Sequence, residues 1–130
     1  MPPEILIIDD NQDATELLRE LLEMQDYAVR TAHTGAEALQ RMRDKPAQIL
    51  LVDQNLPDMP GSALAPQLRA IAAELGVTEC VAIAITGMAP GPQSGLQGFD
   101  HVLGKPLDFD AFDGLMQRTV AQLQSSTPRG

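Results

Sequence analysis

The stretch AQILLVD, residues 47–53, decides the fold. After Gln48 it is apolar at every position until it stops at a carboxylate, Asp53. A strand with one wet face alternates apolar and polar residues. A run with no polar face belongs to a strand covered on both sides, as in the interior of a parallel sheet. Two other stretches read the same way. EILIIDD (4–10) ends in Asp9 and Asp10, and CVAIAIT (80–86) ends in Thr86.

Helical patterns fill the intervals. Ala14, Leu17, Leu18, Leu21 and Leu22 form an apolar stripe, with Glu16, Arg19, Glu20 and Glu23 on the opposite side. YAVRTA (27–32) alternates weakly, as a less buried strand does. A second helix is predicted over about residues 35–43 and ends before Pro46. A third spans about 62–75, with Leu64, Leu68, Ile71, Ala72 and Leu75 inward and Gly76 as terminator. Pro66 must then fall within its first turn or so, or kink its start. HVLGK (101–105) is a short fifth strand. The final helix has Asp108 as N-cap candidate and Phe109, Phe112, Met116, Val120 and Leu123 near a 3.6-residue period. Strands alternating with helices, with right-handed crossovers, give a doubly wound α/β fold: a five-stranded parallel sheet between helix layers.

The bulk numbers agree with one folded domain. The chain has 130 residues, 44% hydrophobic and 21% charged, ordinary values for a globular protein. No apolar run approaches the ~20 residues of a membrane span, and the start lacks the basic region of a signal peptide. Cys80 is the single cysteine, so no intrachain disulfide forms, and a cytoplasmic location is expected. Eighteen acidic residues against nine basic give a net charge of −9, which argues against nucleic acid as a partner. The domain is expected over 1–124, with 125–130 a polar tail or linker.

Ligands of doubly wound sheets bind beyond the carboxyl ends of the strands. Asp9 and Asp10, Asp53, Thr86 and Lys105 all fall there. With strand order 2-1-3-4-5, the first and third strands are neighbours and three carboxylates converge. Such a cluster repels itself unless cations intervene. Lys105 is one; a hard divalent ion, Mg²⁺ or Mn²⁺, suits an all-oxygen set without Cys or His. Aspartates before a helix also serve as caps. Their alignment with Asp53, Thr86 and Lys105 favours the ion.

IIDD (7–10), LLVDQNLPDMPG (50–61), AIT (84–86) and GKP (104–106), in this order, resemble the receiver domain of two-component signalling, over residues 4 to about 123. The resemblance implies a flavodoxin-like receiver fold and a role for each residue. Asp53 is then the phosphoacceptor. Asp9, Asp10, Asp53 and the carbonyl of Asn55 hold Mg²⁺, while Lys105 and Thr86 meet phosphoryl oxygens. It implies a histidine kinase or histidine phosphotransfer protein as donor, a phosphorylation-dependent change in partner binding, and no enzymatic activity beyond the domain's own phosphorylation and dephosphorylation. The chain is then a single-domain regulator or the receiver of a hybrid histidine kinase, with no membrane or nucleic-acid partner of its own. The Lys105–Pro106 peptide is typically cis in the family.

Three departures stand out. TGMAPGPQSGLQG (86–98) is short and carries two prolines and several glycines where the family has a fourth helix, so that helix is expected short or missing. Val102 occupies the position of a switching aromatic, and Gly87 follows Thr86. These keep open an alternative, a receiver-like interaction module that is not phosphorylated. An aspartate-nucleophile phosphatase is a more distant one, since Asn55 stands where it needs a second acid.

Overall fold

The computed structural model describes residues 4–53, 56–77, 80–86, 99–104 and 109–125. The chain alternates β1 (Glu4–Ile8), α1 (Gln12–Glu23), β2 (Ala28–Ala32), α2 (Gly35–Asp44), β3 (Ile49–Asp53), α3 (Gly61–Glu74), β4 (Val81–Thr86), β5 (His101–Gly104) and α4 (Phe109–Ser125). All five strands are parallel, in the order β2-β1-β3-β4-β5. The unbroken apolar runs are the central strands, and every residue of β3 is buried. The weakly alternating β2 is the edge and is only partly covered.

Each face of the sheet has its own core. Leu6, Ile8, Leu50 and Val52 point to one face, where Ala38 and Met42 of α2 and Leu64, Leu68 and Ala72 of α3 cover them. Ile5, Ile7, Ile49, Leu51 and Ile83 point to the other, under Leu18 and Leu22 of α1 and Phe112, Leu115 and Met116 of α4. The period-2 alternation of the strands thus serves both layers at once.

Caps define the helix starts. The Asn11 side chain accepts the Ala14 N–H of α1 at 3.2 Å, and Thr34 accepts the Glu37 N–H of α2 at 3.0 Å. Glu37 reaches back to the His33 N–H at 2.6 Å, a displaced form of the reciprocal capping box. α2 stops at Lys45, which is extended (φ −160°) because Pro46 follows. Gly76 closes α3 in the left-handed region (φ 93°), as its position predicts.

Three sequence expectations need correction. Leu17 is 48% exposed and Leu75 is 49% exposed. The buried stripe of α1 is narrower and runs Thr15, Leu18, Leu22. Thr15 fits there because its hydroxyl donates to the Asn11 carbonyl at 2.7 Å. Leu75 lies past the last helical residue, on the turn that Gly76 completes. Pro66 sits in the second turn of α3, which begins at Gly61, and the helix runs through it. The expectations for residues 87–98, for the Lys105–Pro106 peptide and for Asp108 lie outside the described residues.

Among the described residues no helix is long and apolar enough to cross a membrane. Cys80 is half-buried, its Sγ 3.6 Å from the Ala47 carbonyl. Burial pushes the thiol up to about 11, so it stays protonated at neutral pH.

Candidate functional site

The register of the two central strands builds the site. Ile8 of β1 pairs with Val52 of β3, so the next residues, Asp9 and Asp53, emerge side by side at the carboxyl end of the sheet. Both are almost fully buried, at 5% and 3% exposure, whereas Asp10 reaches solvent. One carboxylate oxygen from each of Asp9, Asp10 and Asp53 lies within 4.8 Å of the others. At an effective dielectric of ~20, two unit charges at such a distance repel by on the order of 3 kcal/mol. Three carboxylates gathered this closely form a group that could hold a metal ion.

Local structure holds Asp9 in place without consuming it as the cap of α1. The Asp9 N–H donates to the Ala32 carbonyl at 3.0 Å, which ties the chain to the end of β2. Asp9 Oδ1 accepts the Asn11 N–H at 2.9 Å. Asn11, not either aspartate, caps α1. Thr15 adds a second tie, its hydroxyl 3.4 Å from the Asp9 carbonyl.

The donor set fits a hard divalent cation. It is all carboxylate, and no His or Cys joins it among the described residues. Such ligands suit Mg²⁺, Mn²⁺ or Ca²⁺ rather than zinc. Two of these carboxylates are buried and the third is exposed, so the cluster opens to solvent on the Asp10 side.

The backbone brings the remaining positions to the same rim. Asp53 is in register with Ile85, so Thr86 lies one residue further along β4. Thr86 is in register with Gly104, the last residue of β5 and the one before Lys105. The side chain of Thr86, and all of Asn55 and Lys105, lie outside the described residues.

Sequence reasoning passed over one further aspartate. Asp58, in the segment between β3 and α3, accepts the Gly35 N–H at 2.8 Å and the Ala36 N–H at 3.0 Å. Those are unsatisfied donors of the first turn of α2. The bonds, that from Gly35 first, hold the Asp58 carboxyl below its ordinary value. Met59 packs on Gly35 so closely that a Cβ there would lie 2.8 Å from its Cγ. The segment following Asp53 is thereby anchored to α2. The loop composition was visible in the sequence, but its partner more than twenty residues away was not.

The likeness of the chain to known proteins is extensive. The family model described as the response regulator receiver domain matches residues 5–116. The virulence sensor protein BvgS of Bordetella pertussis is 30% identical over 129 residues, covering 95% of this chain and 10% of that protein. The sensor histidine kinase RcsC of Salmonella typhi is 33% identical over 109 residues, covering 82% of this chain and 11% of the kinase. The chain thus spans about a tenth of the length of these sensor proteins. Among solved structures, a CheY-like receiver domain from Methylobacillus flagellatus superposes with TM-score 0.79 at 30% identity, covering 92% of this chain and 99% of that one. A response regulator from Burkholderia pseudomallei, with a phosphorylated aspartic acid, calcium ion and citrate, superposes with TM-score 0.76 at 26% identity, covering 95% of this chain and 71% of that one. With residues 5–116 matched by that family model and a CheY-like receiver domain superposing over 92% of the chain, the chain belongs to the response regulator receiver domains.

Proposed function

We propose that this domain accepts a phosphoryl group on Asp53 in a Mg²⁺-dependent reaction and thereby changes its affinity for a partner. The observation that carries this reading is the convergence of Asp9, Asp10 and Asp53 within 4.8 Å at the carboxyl end of the sheet. Asp53 is the residue of the three that ends the central strand β3, where the backbone on both sides fixes its direction of approach. Its carboxylate oxygen attacks phosphorus in line. A P–O bond forms to Asp53 as the bond from phosphorus to the donor's imidazole nitrogen breaks, and the leaving imidazole keeps the electron pair and takes up a proton. Water reverses the modification by attacking the resulting acyl phosphate. In this limited sense the domain catalyses its own phosphorylation and dephosphorylation and is not otherwise an enzyme.

Asp9, Asp10 and Asp53, together with the Asn55 carbonyl, are the groups that would hold the ion, which supplies positive charge to the phosphoryl oxygens. Lys105 would contribute a second positive charge and Thr86 a hydroxyl donor, as their positions at the ends of β5 and β4 allow. The phosphorylated aspartic acid and calcium ion of the Burkholderia pseudomallei regulator support this reading. The likeness of this chain to sensor proteins supports a histidine kinase or histidine phosphotransfer protein as phosphodonor, in the cytoplasm where such donors work.

The test is incubation with Mg²⁺ and acetyl phosphate, read by intact mass. Wild type gains one phosphoryl group, and Asp53→Asn gains none. Absence of a mass gain in wild type, with the ion shown to bind, would refute phosphorylation and leave a receiver-like interaction module.

A further inference from the structure

The free edge of the sheet carries a second feature, far from the aspartates in chemical character. A cleft of about 470 Å³ opens over β2, lined by Arg19 of α1, by Val29, Arg30 and Thr31 of β2, and by Arg41 and Asp44 of α2. The size is within the range of ligand sites. Three arginines line it in a chain whose net charge is −9. Two of them are engaged locally. Arg30 pairs with Glu4 at 3.2 Å and donates to the carbonyls of Arg41, at 3.0 Å, and Lys45. Arg41 pairs with Glu37 at 3.8 Å. Arg19 makes no hydrogen bond or ion pair among the described residues, and its Nε, like that of Arg30, is shielded from solvent without an acceptor. A shielded guanidinium donor without a partner calls for an anion.

The backbone beside these arginines is also available. The Ala32 carbonyl turns toward β1, where it accepts the Asp9 N–H. Neighbours alternate in a parallel ladder, so the backbone groups of Val29 and Thr31 turn to the open side. The Thr31 carbonyl does meet a donor there, Arg41 Nε, at a long 3.4 Å. An incoming strand would displace that contact for a better one.

We infer that the β2 edge is a docking surface for an extended acidic segment of a partner protein, which adds as a further strand and places carboxylates against Arg19 and Arg41. Charge complementarity selects this occupant. A second copy would bring its own Arg19, Arg30 and Arg41 against the same three residues. Nucleic acid would meet a strongly acidic chain around the cleft. Main-chain bonds to Val29 and Thr31 supply affinity, and the arginines supply specificity. The inference does not depend on phosphorylation of Asp53.

The test uses the full isotope-labelled chain, titrated with a capped peptide of alternating Glu and Val, with a matched Lys and Val peptide, and with inorganic pyrophosphate. The acidic peptide is expected to shift the amide signals of Val29 and Thr31 and slow their exchange, and the lysine peptide is not. Arg19→Gln combined with Arg41→Gln is expected to weaken the acidic peptide at least tenfold, with the thermal midpoint and the mass gain from acetyl phosphate unchanged. An acidic peptide that leaves β2 undisturbed, equal binding of both peptides, or pyrophosphate acting on these amides where the peptide does not would each overturn it. Failure here with normal phosphoryl uptake leaves the proposed function standing.

Discussion

Aspartates sit at both ends of this sheet, and the two ends use them oppositely. At the amino end Asp100, just before β5, binds the Ala82 N–H at 2.9 Å and the Arg69 guanidinium with the same oxygen, while its own N–H donates to the Ala82 carbonyl at 2.8 Å. That carboxylate staples β5 and α3 to β4. At the carboxyl end Asp9, Asp10 and Asp53 are pressed against one another within 4.8 Å. The residue type is the same. What differs is the company each keeps: Asp100 is shared between an N–H and a guanidinium, whereas the carboxyl-end aspartates are gathered onto one another.

The comparison breaks most visibly at Asp53. Asp53→Asn removes phosphoryl uptake altogether and keeps the fold, because the amide is nearly isosteric. Asp100→Ala should do the reverse. It leaves the N–H of fully buried Ala82 without its side-chain acceptor and Arg69 without its carboxylate. With the pair's side chains 31% and 43% exposed, solvent screening weakens the charge term. The expected loss is about 2 kcal/mol, mostly from the orphaned N–H. Urea unfolding measures it, and the acetyl phosphate mass gain should be unchanged. Loss of uptake in Asp100→Ala would erase the distinction between the two ends.

Asp58 offers a finer test, since it lies in the segment after Asp53 yet behaves structurally. Its folded carboxyl titrates below the ordinary value of 3.8 because Gly35 and Ala36 donate to the ionised form. A depressed folded value means the ionised group stabilises the native state above pH 3.8, and that this contribution fades as pH falls through the folded value. Asp58→Ala should therefore melt lower than wild type at pH 7, by a small margin that closes as the pH drops below 3.8. A margin that does not narrow as the pH falls would assign the effect to packing instead, for example of Met59 on Gly35.

Much of this was legible in the sequence, for specific reasons. β1, β3 and β4 read correctly because covering both faces leaves no room for polar residues, so burial writes itself into every position. The convergence of Asp9, Asp10 and Asp53 was legible because each follows or ends such a run at the end where doubly wound sheets bind ligands. Leu17 and Leu75 misled because period alone does not say how wide a stripe the neighbouring elements cover. Asp58 and Asp100 were passed over because their partners, Gly35, Arg69 and Ala82, are brought near only by the assembled sheet. Local patterns reveal burial well. They reveal remote pairing poorly.

The central claim is that the carboxyl-end aspartates form one cation pocket. Paramagnetic broadening by substoichiometric Mn²⁺, recorded on the amide spectrum of the full chain, tests it most directly. The account predicts broadening centred on Asp9, Asp10 and Asp53, reversed by a chelator, reduced in Asp10→Asn and absent around Asp100. Broadening centred instead on the acidic surface of α1 at Glu16, Glu20 and Glu23, or spread evenly over the chain, would contradict it.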